Sequence, residues 1–143
     1  METLALPRRV VERLKTLAEG EGVSLEDFLL EMALRGLDPP DKAREYITAA
    51  CQLLQAAEEE LHGDLRQSSE RIWGAAALAV KAYAYWRDGV RLVSHGDLWR
   101  YKSKMADELG EWVRDVWNSA NSMHINFYEG WADKGDVERG CNT

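Results

Sequence analysis

Residues 71–86 read RIWGAAALAVKAYAYW, from Arg71 to Trp86. No proline interrupts the run, and its spacing is helical. One side carries residues with almost no side chain: Gly74, Ala75, Ala76, Ala77, Ala79, Ala82 and Ala84. Trp73, Leu78, Val80, Tyr83 and Trp86 supply the bulk elsewhere. A bare helical surface lets neighbouring helices approach closely, because little side-chain volume separates the backbones. The stretch therefore predicts the centre of a helical bundle.

Helical patterns extend on both sides of it. Upstream, Asp41 to about Leu61 carries Tyr46, Ala50, Leu53, Leu54, Ala57 and Leu61 at helical spacing. The acidic run Glu58–Glu60 reads as a solvated helix end, followed by a stop at His62-Gly63 and a new N-cap at Asp64. Downstream, a basic linker from Asp88 to Ser94 leads into a helix capped by Ser94 and Asp97 and broken at Gly110. A further helix runs from Trp112 to Glu129, with Trp112, Val113, Val116, Trp117, Ala120, Met123, His124 and Phe127 as its buried stripe. Gly130 ends it, and residues 131–143 are expected to form a short or frayed helix.

Before Asp38-Pro39-Pro40 the chain has its own pattern. Pro7 opens a helix to about Glu19, with Val10, Val11, Leu14, Leu17 and Ala18 on its apolar face. Ser24 and Asp27 cap a second helix carrying Leu25, Phe28, Leu29, Met32 and Ala33. This αα-hairpin is too small to be stable alone. The fold class is all-α: residues 40–143 form an up-and-down bundle of about four main helices, and residues 1–39 a hairpin that serves packing or dimerisation.

The chain has 143 residues and a net charge of −7, which opposes coating nucleic acid through bulk electrostatics. Charge is nevertheless polarised. Between Lys81 and Lys104, six lysines and arginines face only Asp88 and Asp97, whereas residues 105–143 are acidic. No apolar run approaches the roughly 18 residues of a membrane span. Cys51 is expected on a buried helix face and Cys141 exposed near the end, which suits a reducing, cytoplasmic setting without a disulfide.

Several pieces resemble a known family. Leu6-Pro7-Arg8-Arg9-Val10-Val11, the stretch from Trp73 to Ala82, Ser94-His95 with Leu98-Trp99, and His124-Ile125-Asn126-Phe127-Tyr128-Glu129-Gly130-Trp131 resemble the archaeal PaREP family across about residues 4–139. More broadly, Tyr46 to Ala82 resembles a HEPN-type bundle. The resemblance implies an all-α protein of thermophilic archaea. The HEPN class includes RNA-cleaving toxins and nucleotide-binding or scaffold modules, commonly dimeric. Its cleavage signature, an arginine and a histidine separated by four to six residues, is not met. Arg91 and His95 have three residues between them, and Arg114 and His124 have nine.

The candidate binding residues are Arg87, Arg91, His95, Asn121, His124, Asn126 and Tyr128. Asn121, His124 and Tyr128 share one helix face at i, i+3 and i+7. Histidine changes protonation near neutral pH, so His124 and His95 are also the candidate acid/base groups. Arginine near a helix N-terminus can hold a phosphate, which brings in Arg87 and Arg91. The competing structural reading makes these a polar packing network and a solvated linker. Trp73, Trp99, Trp112 and Trp117 are read as core, and Trp86 and Trp131 as exposed. No metal-ligand spacing, phosphate loop or dinucleotide fingerprint is present, so neither metal nor cofactor is expected.

Three functions follow as expectations. The first is a homodimeric binding or scaffold module taking a nucleotide or RNA. The second is a metal-independent ribonuclease with an altered motif. The third is a ribbon-helix-helix-like DNA-binding regulator built on residues 3–35, which the acidic balance there opposes, since Glu2–Leu6 offers no basic side chain.

Overall fold

The computed structural model describes residues Glu2 to Thr143. Among these residues there is no strand. The helices are α1 (Arg8–Glu21), α2 (Leu25–Ala33), α3 (Pro39–Glu59), α4 (Leu65–Asp88), α5 (His95–Leu109), α6 (Trp112–Glu129) and α7 (Lys134–Asn142). A 3₁₀ turn, Glu60–His62, links α3 to α4. No helix among them is long and apolar enough to cross a membrane.

α4 is the axis of the bundle. A helix apolar around most of its circumference is stable only when surrounded. α3, α5, α6 and α7 all pack against it. Ala75, Ala77, Ala82 and Ala84 are buried, as are Trp73, Leu78 and Val80. Gly74 permits the closest approach: a Cβ there would lie 3.2 Å from Leu53 Cδ1 of α3. On another side Trp73 meets Trp117 of α6, and Ala77, Val80 and Ala84 share one apolar cluster with Leu98, Met105 and Val113 of α5 and α6. Each such fully buried side chain stabilises the fold by about 1.5–3 kcal/mol.

The helix ends follow local chemistry. Ser94 accepts from Asp97 N while Asp97 accepts from Ser94 N, a complete capping box that starts α5. Asp64 accepts from Gln67 N at the start of α4. Gly130 ends α6 in the left-handed conformation, with φ of 67°.

The hairpin meets the rest of the chain through side chains, mostly those of α2 and the turn after it, with Glu21 at the end of α1 reaching Arg91; α1 packs closely only on α2. Leu34 and Leu30 join Tyr46, Leu78 and Tyr85 in an apolar cluster. Polar contacts fix the position. Lys81 Nζ, whose side chain is 2 % exposed, lies 2.8 Å from Asp27 Oδ2. Glu31 accepts from the hydroxyls of Tyr46 and Tyr85. Burial, reinforced by the Glu31 carboxylate, pushes both phenols well above their ordinary pKa. The apolar residues Val10, Leu17, Leu29 and Met32 of the hairpin are left exposed. Glu2–Leu6, the strand of the DNA-binding reading, is irregular.

Four expectations require correction. Cys51 is exposed and Cys141 buried, both as free thiols. Cys51 lies about 100° round α3 from the buried Ala50, off the packed face. Cys141 is buried because of the segment after Gly130, which is the short helix expected there. It forms α7, opened by an Asp133–Asp136 capping box, and packs Val137 and Cys141 against Ile72 and Met123. Trp112 is not in the buried stripe but 57 % exposed. It stands in the first turn of α6, where its indole N–H donates to Leu109 O across the interhelix turn. Helix α3 begins at Pro39 rather than Asp41, because proline suits the first helical turn.

Candidate functional site

Two helix ends converge to make the site. α5 and α6 are antiparallel neighbours joined at Gly110-Glu111, so the first residue of α5 lies near the last turns of α6. His95 and His124 are thereby brought together, with ring centroids 5.4 Å apart and the rings near perpendicular. Trp73 of α4 forms the floor. Its ring stacks on His124 at 5.0 Å and meets the edge of His95 at 5.7 Å. Tyr128, 68 % exposed, stands one turn beyond His124 with its ring 5.4 Å away.

Glu70 completes the group. Its Oε2 lies 2.9 Å from His124 Nδ1. A carboxylate accepts, so this contact favours the tautomer with the proton on Nδ1 and leaves Nε2 to accept from a ligand. Burial pushes the Glu70 carboxyl above its ordinary range, and the His124 contact pulls against that rise. His95 is lowered from 6.5, first by burial, then by the electrostatic influence of the neighbouring His124 and Lys81 side chains. A neutral His95 imidazole is thus favoured near neutral pH, and it makes no side-chain hydrogen bond among the described residues. Two adjacent imidazoles, one oriented by a carboxylate, can exchange protons with a ligand or stack against its rings.

The remaining sequence candidates separate. Asn121 is half-buried on the His124 face of α6. Asn126 is not a surface ligand: it is 1 % exposed. Its Nδ2 donates to Ser69 Oγ at 2.7 Å, and its Oδ1 accepts from Ala132 N at 2.8 Å. It ties the turn after α6 onto α4, which is why the packing reading holds for this residue. Arg91 does not join the imidazoles. It reaches toward the hairpin, 3.4 Å from Glu31 and 3.6 Å from Glu21. It lines a separate cleft of about 210 Å³ with Arg35 and Lys42. Arg87 pairs with Glu108 at 3.7 Å, across from α5. Carboxylates on packed helices attract these arginines more locally than the linker sequence reveals.

Glu70 and the floor role of Trp73 went unread in the sequence. The one available signal is that Glu70 and Trp73 share a helix face at i, i+3. Among the described residues no group of three or more His, Cys, Asp or Glu gathers to hold a metal ion.

Fold and site together define an all-α bundle whose polar and aromatic side chains gather where α4, α5 and α6 meet. The chain belongs to the archaeal PaREP1/PaREP8 family, whose model matches residues 45–142. That span includes the imidazole pair, Glu70 and Trp73, and leaves the α1–α2 hairpin outside, so the resemblance read from residue 4 onward is narrower at its N-terminal end. No curated protein and no solved structure matches the chain.

Proposed function

We propose that this protein is a HEPN-like helical binding module that works as a cytoplasmic homodimer and takes a nucleotide or a short stretch of single-stranded RNA. The observation that carries the reading is the His95–His124 pair on the Trp73 floor, with Tyr128 exposed at its edge. Rings at an open surface stack on nucleobases without regard to sequence, at about 1–3 kcal/mol per base. The imidazole nitrogens add donors and acceptors for base edges or phosphate. Uncovered Val10, Leu17, Leu29 and Met32 support a second copy meeting the hairpin.

Titration of the wild-type protein with mononucleotides and short RNA tests the binding reading, with His124→Ala and Arg91→Ala alongside. Binding that His124→Ala weakens at least tenfold and Arg91→Ala leaves intact is the expected result. Binding insensitive to His124→Ala contradicts it. Light scattering at micromolar concentration tests the dimer, and a monomer there excludes it.

A second reading, metal-independent RNA cleavage, has one specific support: two imidazoles side by side with Glu70 orienting one of them. General acid and base would then be His124 and His95. Against it, Arg87 and Arg91 are committed to carboxylates elsewhere. Labelled RNA left intact over hours at high temperature removes this reading.

A further inference from the structure

The seam between α5 and α6 holds donors short of acceptors. Lys102 is 7 % exposed, yet none of the ion pairs among the described residues includes it. Its ammonium donates to the Ser103 hydroxyl at 3.2 Å and lies 4.8 Å over the Trp99 ring. An ammonium has three N–H donors, so this leaves it short of acceptors. The indole Nε1 of Trp117, itself 2 % exposed, has no hydrogen-bond partner. It is the one buried side-chain nitrogen or oxygen without a partner among the described residues.

Helix register brings these two orphans to one level. Lys102 follows His95 by seven residues, and Trp117 precedes His124 by seven. At 1.5 Å per residue, both stand about 10 Å along antiparallel helices from the imidazole pair. The Trp99 ring links them, since it also meets the Trp117 ring edge-on at 5.8 Å. A buried cation facing a π-cloud and a hydroxyl remains poorly compensated, because neither carries a full negative charge. Two unfilled donors, one of them cationic, call for an anionic oxygen.

We propose that Lys102, with Trp117 Nε1, is the seat for a phosphate group, and that the partly exposed Trp99 ring swings aside to admit it. This deepens the nucleotide-binding reading and rests on it for the ligand class: the base stacks at His95–His124 and the phosphate enters the seam. No bond is made or broken.

The test uses the full chain with adenosine monophosphate, adenosine and inorganic phosphate as probes, at constant ionic strength. Lys102→Met keeps the length of the side chain and removes the charge, and Lys102→Gln serves as a second variant. In the wild type, millimolar phosphate raises the melting temperature relative to chloride. In both variants that rise disappears, and adenosine monophosphate binds at least tenfold more weakly while adenosine binding is unchanged. In phosphate-free buffer Lys102→Met melts higher than the wild type, because an uncompensated charge has left the interior. An equal phosphate effect in wild type and variants, or none in the wild type, overturns the seat. Adenosine that fails to bind the wild type, with the phosphate effect intact and Lys102-dependent, instead overturns the base-binding reading and leaves the seat standing.

Discussion

Ser69 and Glu70 are consecutive on α4, and Asn126 and His124 are two apart on α6, yet the two pairs they form differ in kind. The Ser69–Asn126 pair is closed. Asn126 is almost wholly buried, and its amide is satisfied at both ends by Ser69 Oγ and Ala132 N. The Glu70–His124 pair is open. Both side chains are partly exposed, and His124 leans on two further rings and on the unbonded imidazole of His95. A closed polar pair lowers the energy of one packing arrangement. An open one keeps donors and acceptors free for something else. Burial and completeness of hydrogen bonding, rather than residue type, separate structure from candidate function here.

The largest expected effect breaks the closed pair. Asn126→Ala orphans Ala132 N and leaves a cavity against α4, at a cost of about 3 kcal/mol, or roughly 10 °C in melting temperature. Urea denaturation checks it, and a loss within about 0.5 kcal/mol would place Asn126 with the open group. A second closed contact ranks next. Asp27→Asn leaves the Lys81 ammonium unpaired at 2 % exposure, costing about 2 kcal/mol because Asp27 itself is partly solvated. The double variant Asp27→Asn/Lys81→Met should recover most of that loss.

The open pair should respond in the reverse manner. His124→Ala is expected to change stability by less than about 1 kcal/mol while weakening nucleotide binding at least tenfold, about 1.4 kcal/mol. Calorimetric titration beside thermal melts separates the two quantities. The smallest effect is on pH dependence. The folded state holds the His95 proton less tightly than the unfolded chain, whose value is near 6.5. As pH falls through 6.5 the unfolded chain takes up that proton first, so stability declines. Glu70 has the opposite sign, since its raised folded pKa favours the protonated folded state as pH falls. His95→Gln should therefore flatten the stability curve between pH 7.5 and 6 relative to wild type.

The helices were largely legible because their signals are local. Ser94 with Asp97, Gly110 and Gly130 mark ends through contacts within a few residues. The small-residue surface of 71–86 marks the central helix for the same reason. Side-chain destinations were less legible. Asn126 lies about 200° round the helix from His124, a phase that already set it apart from the Asn121–His124–Tyr128 face. Glu70 was invisible because its partner is 54 residues away. Arg91 was misplaced because the carboxylates that hold it come from α1 and α2, across the molecule's other junction. Cys141 is buried because α7 folds back onto α4, a tertiary event with no signal in its charged composition.

The chain has three histidines, and His62 beside Lys134 lies outside the imidazole cluster, which makes it an internal reference. Nuclear magnetic resonance of the imidazole nitrogens during titration with adenosine monophosphate is the most direct test. His95 and His124 should shift together and saturate at one ligand concentration while His62 stays in place. Equal movement of all three, or movement of His62 alone, would contradict the proposed binding.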